Sequence, residues 1–203
     1  LRADLLYTGA DDGRLHVTQD GGKTWTRIGA DLPERWITRV AASRHEVASL
    51  YVSMTGYRYD EFATYLYMSR DYGSTWTSIA SNLPAEPVNV IGEDPSDRSI
   101  LYVGTDTGVY ASTDQGRTWQ SLCADLPTIP VYDLVVHPRD GELVIGTHGR
   151  SVFVADISQV RAARRAASTA ITRVNLDQRG VGYPVYRIPA LVVTKAGTLI
   201  AAY

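Results

Sequence analysis

The sequence predicts an all-β fold built from repeated units of four antiparallel strands. An eight-residue motif, Ser/Thr-x-Asp-x-Gly-x-Thr-Trp, starts at residues 18, 69 and 112. A short apolar strand recurs in phase with it, at 6–9, 50–53, 101–104 and 143–146. The 13 tyrosines, nine prolines and 17 glycines are typical of short strands joined by tight turns. Spacings of 51 and 43 residues between the motifs indicate a propeller or a solenoid.

The eight-residue motif has the chemistry of a turn. Its Asp can accept hydrogen bonds from backbone N–H groups of its own turn, and its Gly supplies a positive φ without steric cost. The Thr-Trp pair starts the returning strand, and the large indole is expected to be buried against a neighbouring sheet. Each copy therefore predicts the tip of a β-hairpin with a buried tryptophan at its exit. The motif residues are Asp20, Gly22 and Trp25, then Asp71, Gly73 and Trp76, then Asp114, Gly116 and Trp119.

One complete repeat illustrates the order of its elements. Strands are predicted at 88–91, 100–104, 109–112 and 119–122, with turns at 94–97, at 105–108 and at the motif. Four antiparallel strands per repeat correspond to a β-propeller blade. A Leu-Pro pair follows each of the first three repeats, and its proline stops the outer strand before the chain crosses inward.

The number of strands predicts about four blade equivalents with incomplete blades at both ends. The chain opens on a second strand at 5–8 and closes on another at 199–202. A small closed ring and a part of a larger ring are both compatible with this count. We favour part of a larger ring or an assembled propeller, because the unpaired strand edges of an arc promote self-association.

Composition limits the classes of partner. The net charge of −2 does not favour nucleic acid, and no apolar run is long enough for a membrane span. A single cysteine, Cys123, excludes an intramolecular disulfide, and the four histidines are too widely spaced for a metal site, so no cofactor is expected. The N-terminus has neither an initiator Met nor a signal peptide, so either a signal was removed or the chain was cut from something longer. We expect a secreted or extracytoplasmic protein.

The second repeat carries extra residues at 54–64, where the third repeat has a four-residue turn. Insertions at one turn of a repeat often build a binding face. The segment includes Tyr57 and Arg58, and its aromatic rings, arginine and acids could stack on and bind a sugar. The alternative, which we favour, is a longer hairpin whose aromatic rings cover a neighbouring blade.

Two later turns complete the candidate binding face. Asp106 lies in the 105–108 turn, and His148 and Arg150 lie in the equivalent turn of the fourth repeat. His beside Arg could bind an anion or a carboxylate, or the histidine could cap a neighbouring carbonyl. We divide the chain into propeller blades at 1–157, an Ala/Arg-rich linker at 158–170 and a final segment at 171–203.

The repeated motif resembles the Asp-box, or BNR, hairpin of sialidases and sortilin-type receptors, and this resemblance extends over residues 5–157. It implies a β-propeller in which the boxes are structural clasps away from the active site. The residues of the three boxes are therefore expected to stabilise the fold and to take no part in catalysis.

The final segment resembles the first blade of an exo-sialidase, through Tyr186-Arg187-Ile188-Pro189. The resemblance implies that Arg187 grips the carboxylate of a sialic acid, since a guanidinium fork matches a carboxylate in two hydrogen bonds. In that family two further arginines, an acid/base aspartate and a tyrosine nucleophile paired with a glutamate lie downstream, and here the chain stops at Tyr203. The catalytic residues thus stay unknown.

Three functional hypotheses follow. The first is a glycosidase-like propeller of exo-sialidase type, or a fragment of one, that hydrolyses or recognises sialic-acid-type glycans. The second is a non-catalytic propeller that binds a glycan or a protein through the turns. The third is a truncated or engineered scaffold without activity of its own. Fold alone does not choose among them.

Overall fold

A computed structural model describes residues 2–122, 126–163, 171–174, 190–193 and 199–202. The chain divides into two compact units, which we call unit 1, Leu1–Ile91, and unit 2, Gly92–Tyr203. The described elements are strands apart from a three-residue 3-10 turn and a six-residue helix. The predicted all-β class is confirmed.

Unit 1 begins with two antiparallel sheets whose strands follow one another in chain order. The first has three strands, β1 (Leu6–Gly9), β2 (Leu15–Thr18) and β3 (Thr26–Ile28). The second has four, β4 (Trp36–Ala42), β5 (Leu50–Gly56), β6 (Glu61–Ser69) and β7 (Thr77–Ser78). The 3-10 turn Tyr57–Tyr59 joins β5 to β6. A four-stranded sheet in simple chain order is the predicted blade.

The remaining strands repeat this plan. One sheet contains β8 (Val88–Glu93), β9 (Leu101–Thr105), β10 (Val109–Ser112) and β11 (Gln120–Ser121). The next contains β12 (Val131–Val136), β13 (Glu142–Thr147), β14 (Val152–Asp156) and β15 (Ile171–Val174). A two-stranded sheet contains β16 (Ala190–Val193) and β17 (Leu199–Ala202). β15 comes from the predicted final segment, yet it pairs with β14 as the fourth strand of its sheet.

In the three sheets that contain β5, β9 and β13, this second strand forms the core. Leu50, Leu101 and Leu143 stand at equivalent positions of β5, β9 and β13, and all three are fully buried. A strand with neighbours on both sides and sheets above and below is apolar on both faces, which explains its continuous apolar run. Each such side chain stabilises the fold by about 1.5–3 kcal/mol relative to its exposed state.

The helix α1 (Ser158–Ala163) opens the predicted linker and is tied to the third blade. Arg161 donates two hydrogen bonds to the fully buried carboxylate of Asp94, at 2.9 and 3.2 Å, and Val160 is buried beside it. Burial opposes the ionisation of Asp94, but the hydrogen bonds from Arg161 and Ser96 outweigh it and lower the pKa of the carboxyl. Removing one partner of such a pair costs about 3–5 kcal/mol.

Each Asp box is a closed network of hydrogen bonds. In the second box the Ser69 hydroxyl donates to Asp71 Oδ1 at 2.8 Å and accepts the Gly73 N–H at 2.9 Å. The carboxylate then accepts the backbone N–H and the hydroxyl of Thr75, at 2.8 and 2.7 Å. The first and third boxes reproduce these four distances within 0.1 Å. The Ser/Thr at the head of the motif is therefore required as both donor and acceptor.

The three box tryptophans differ in burial. Trp119 is buried at 2% exposure, and Trp76 is partly buried, whereas Trp25 is 43% exposed. The prediction of a buried tryptophan is confirmed for Trp119 and wrong for Trp25. The second box packs through Gly73 against Ile28 of β3, while a Cβ at Gly22 would come within 4 Å only of the Trp25 ring itself. The second box is thus covered by the sheet that precedes it, whereas Gly22 of the first box has no such neighbour.

The difference between Gly22 and Gly73 gives a matched test of this packing. Both are the box glycine, with φ of +93° and +89°. Gly22→Ala is expected to lower the free energy of unfolding by about 1 kcal/mol, from backbone strain alone. Gly73→Ala adds an overlap with Ile28, so we expect a further loss of about 1–3 kcal/mol in urea denaturation. Equal losses in the two variants would contradict the packing argument.

The box carboxylates also predict sensitivity to acid. The hydroxyl and the N–H of Thr75 lower the pKa of Asp71 to about 2, from an ordinary value of 3.8. The resulting stabilisation is present above pH 3.8 and is lost as the pH falls towards 2. Asp71→Asn should therefore reduce the fall in unfolding free energy between pH 4 and pH 2, measured by urea denaturation at each pH.

Asp60→Asn is the control, because the Asp60 carboxylate makes no side-chain hydrogen bond in the described structure. A pH dependence that is unchanged in Asp71→Asn would contradict the role of the box carboxylate.

Candidate functional site

A group of aromatic and charged side chains gathers around the β5–β6 hairpin, at the inserted segment of the second repeat. We call it the hairpin patch, and its residues are Arg35, Trp36, Tyr57, Arg58, Tyr59, Glu61, Phe62 and Tyr65. The insertion lengthens both strands, so that β5 runs to Gly56 and β6 begins at Glu61. These two end residues pair across the hairpin, beyond an irregularity in the ladder at residues 54–56. Trp36 joins the patch because β4 pairs it with Thr55, just before the turn.

The patch and the Asp box lie at opposite ends of β6. The nine-residue strand begins in the patch and ends at Ser69, the first residue of the second box. At about 3.4 Å per residue in an antiparallel strand, the two ends are roughly 27 Å apart. The box therefore takes no direct part in this site.

Two arginines stack on aromatic rings within the patch. The guanidinium carbon of Arg58 lies 3.8 Å from the centroid of the Trp36 ring and 5.7 Å from that of Tyr57. Arg58 Nε also donates to Tyr57 Oη at 3.1 Å. Arg35 lies 5.0 Å above the ring of Tyr59. Cations at these distances are attracted to the ring faces, and this orders otherwise exposed side chains.

Glu61 forms an ion pair with Arg35 and not with Arg58. Its Oε2 accepts Arg35 Nε at 2.6 Å, and its Oε1 accepts a hydrogen bond from the Tyr65 hydroxyl. These bonds, from Tyr65 first and Arg35 second, lower the pKa of the Glu61 carboxyl. Burial, and then the bond to Glu61, raise the pKa of Tyr65. Glu61 is therefore a fixed anion, and its charge is balanced by Arg35.

The rings of the turn face solvent. Tyr57, Tyr59 and Phe62 are 49%, 65% and 57% exposed, and they are half of the six large hydrophobic side chains that stand exposed in the described chain. The predicted longer hairpin is confirmed. The expectation that its aromatic rings cover a neighbouring blade is wrong for these three rings. The lengthened β5 and β6 carry the turn past Trp36, where β4 begins.

The other predicted binding residues lie in unit 2. Asp106 follows β9, and His148 and Arg150 follow β13, so the three occupy equivalent turns between second and third strands as expected. The backbone N–H of His148 donates to the Pro130 carbonyl at 2.9 Å, and its exposed ring lies 5.3 Å from the ring of Tyr132. The carbonyl is thus capped by the backbone of His148 and not by its ring.

The structure does not describe every residue that the sequence analysis singled out. Arg187 and its motif lie outside the described ranges, so its role stays a prediction from sequence. Within those ranges no three His, Cys, Asp or Glu side chains are grouped to hold a metal ion. No helix that the structure describes is long and apolar enough to cross a membrane.

Sequence reasoning missed three members of the patch, namely Arg35, Trp36 and Tyr65. Arg35 and Trp36 precede β4 or begin it, and only strand pairing brings them to the inserted turn. One signal was available. Trp36 is the single tryptophan outside the boxes. Because no structural motif accounts for it, it was a candidate for a binding residue.

Solved structures with the same fold include enzymes and binding proteins. The GH74 xyloglucanase of Xanthomonas campestris has a TM-score of 0.66 at 15% identity, over 93% of this chain and 31% of its own. The extracellular domain of a putative hybrid two-component system, BT4673 of B. thetaiotaomicron, has a TM-score of 0.70 at 17% identity, over 98% and 24%. YCF48 bound to a D1 peptide has a TM-score of 0.54 at 18% identity, over 75% and 46%.

These likenesses establish the β-propeller type of fold and nothing finer. The chain spans less than half of the length of each of the three proteins. No curated protein matches it in sequence.

Family models cover the repeats directly. Residues 16–27, around the first box, match the BNR/Asp-box repeat. Residues 64–173, just over half of the 203 residues, match the Sortilin-Vps10 model, described as sortilin, neurotensin receptor 3. The resemblance to Asp-box propellers of the sortilin type is confirmed, and the chain belongs to the Sortilin-Vps10 family.

Proposed function

We propose that this chain recognises a carbohydrate through the hairpin patch. The observation that carries the proposal is the exposure of Tyr57, Tyr59 and Phe62 at one end of a single hairpin. Exposed aromatic rings in one cluster usually mark a binding surface, because their burial by a ligand removes apolar area from water.

The chemistry of the patch suits a sugar. A sugar ring has an apolar face of C–H groups and a rim of hydroxyls. The rings of Tyr59 and Phe62 can cover the face, while the tyrosine hydroxyls and the exposed carboxylate of Asp60 can bind the rim. The GH74 xyloglucanase, which shares the fold, supports a carbohydrate ligand, and the extracellular domain of BT4673 supports a place outside the cytoplasm.

The first test measures binding of oligosaccharides by calorimetry and by tryptophan fluorescence, to which Trp36 of the patch contributes. Each of Tyr59→Ala and Phe62→Ala should weaken binding about two- to tenfold, because each removes one stacking surface. Val47→Ala is the matched control, since Val47 is also an exposed apolar side chain of unit 1 but lies outside the patch. Unchanged affinity in both aromatic variants would refute the patch as the site.

Other ligands define the alternatives. YCF48 bound to a D1 peptide shares the fold and supports a protein ligand. In that case Tyr59→Ala and Phe62→Ala would weaken the binding of a peptide, and no sugar would bind. Leu6 of β1 and Trp25, just before β3, are also exposed, and they support self-association between copies of the chain. This contact would be separate from the ligand site.

Sialoside hydrolysis is the second candidate function, and the Tyr186-Arg187-Ile188-Pro189 run carries it. The test is release of a fluorogenic leaving group from a sialic acid glycoside. If the chain is a hydrolase, turnover should fall to background in Arg187→Ala, because the substrate carboxylate loses its bidentate partner. Arg27→Ala, an exposed arginine on β3, is the control. A folded protein without turnover would refute hydrolysis by this chain.

A further inference from the structure

We infer that the hairpin patch takes an anionic sugar, whose carboxylate or sulfate ester pairs with Arg58. The inference rests on the proposed function, because it names the class of sugar that the same surface would bind.

The two stacked arginines of the patch differ in their partners. Arg35 is bonded to Glu61 at 2.6 Å, so its charge is already balanced. Arg58 makes no ion pair with any carboxylate that the structure describes, and of its donors only Nε is used, in the bond to Tyr57 Oη. A guanidinium has five N–H donors, so the outer edge of Arg58 has unused donors for a ligand.

Stacking prepares Arg58 for this role. Its guanidinium carbon lies over the Trp36 ring, 3.8 Å from the centroid, and the bond to Tyr57 fixes the end nearest the side-chain stem. A planar fork held in one orientation matches a carboxylate or a sulfate in two parallel hydrogen bonds. Because the side chain is ordered before the ligand arrives, less conformational entropy is lost on binding.

The neighbouring charges favour an anion of low charge. The charge of Glu61 is balanced by Arg35, and its other oxygen accepts the Tyr65 hydroxyl, so Glu61 opposes a negative ligand only weakly. Asp60, between the turn and β6, carries the other negative charge near Arg58. It is exposed, and its side chain makes no hydrogen bond in the described structure. One unbalanced cation beside one exposed carboxylate suits a single negative charge and disfavours a multiply charged ligand.

The experiment compares charged sugars with neutral counterparts. The probes are 3′-sialyllactose and lactose 6′-sulfate, each against lactose, and galacturonic acid against its methyl ester. In low salt the wild-type chain should bind at least one anionic probe more tightly than its neutral counterpart. Preference for the carboxylates or for the sulfate identifies which anion the patch selects.

Three variants assign that preference to Arg58. Arg58→Gln should weaken binding of the preferred anionic probe about tenfold and change the affinity for its neutral counterpart less than twofold. Arg27→Gln removes the same charge from an exposed arginine of unit 1 outside the patch, and it should change neither. Asp60→Asn should tighten anion binding about two- to threefold, because it removes a repulsive charge while asparagine tolerates the left-handed φ of 55° at this position. Rising salt should reduce the preference.

The outcomes separate the two proposals. If Tyr59→Ala weakens a sugar but Arg58→Gln weakens charged and neutral probes alike, the anionic preference is overturned and the proposed function stands. If every probe binds equally in wild type and Arg58→Gln, the inference is likewise overturned. If no probe binds to a chain whose circular dichroism is that of the folded protein, both are overturned.

Discussion

Three sheets of this protein each depend on one carboxylate that closes the turn before the last strand. Asp20, Asp71 and Asp114 each accept the N–H and hydroxyl of a threonine four residues later, and each is bonded to the hydroxyl that precedes it by two. The three carboxylates are partly buried, and their charge-assisted hydrogen bonds hold the turn together. Because the turn sets where the fourth strand begins, it also sets the register of the outer edge of the sheet.

Packing between neighbouring repeats adds a second constraint. The second box contacts Ile28 of the sheet before it, and the box tryptophans become less exposed from the first copy to the third. Identical motifs thus carry different burial, because burial belongs to the position in the repeat series and not to the motif. The same applies to the second strands, where Leu6 is 44% exposed while Leu50 and Leu101 are fully buried.

The opposite ends of the strands are less constrained, and variation gathers there. In the third and fourth repeats the turn after the second strand is short, and the hydroxyl of Thr105 or Thr147 closes it. In the second repeat the strands continue to Gly56 and Glu61, and the turn between them carries exposed rings and two stacked arginines. A rigid sheet fixed at one end by the box can carry such a turn without loss of its core. This separation explains how a site can develop on the fold while the repeat is kept.

The sequence by itself determined the all-β class, the four-strand repeat, the position of each box and the inserted segment that carries Tyr57 and Arg58. These features depend on local chemistry, in which turn residues and strand periodicity lie close together in the chain. Only the tertiary structure decided that Trp36 lies under Arg58, that Glu61 binds Arg35 and not Arg58, and that Arg161 of α1 reaches Asp94, 67 residues earlier. It also decided that Trp25 is exposed while Trp119 is buried. Such contacts join residues that are distant in sequence. They follow from strand pairing and packing, which a local sequence pattern does not predict.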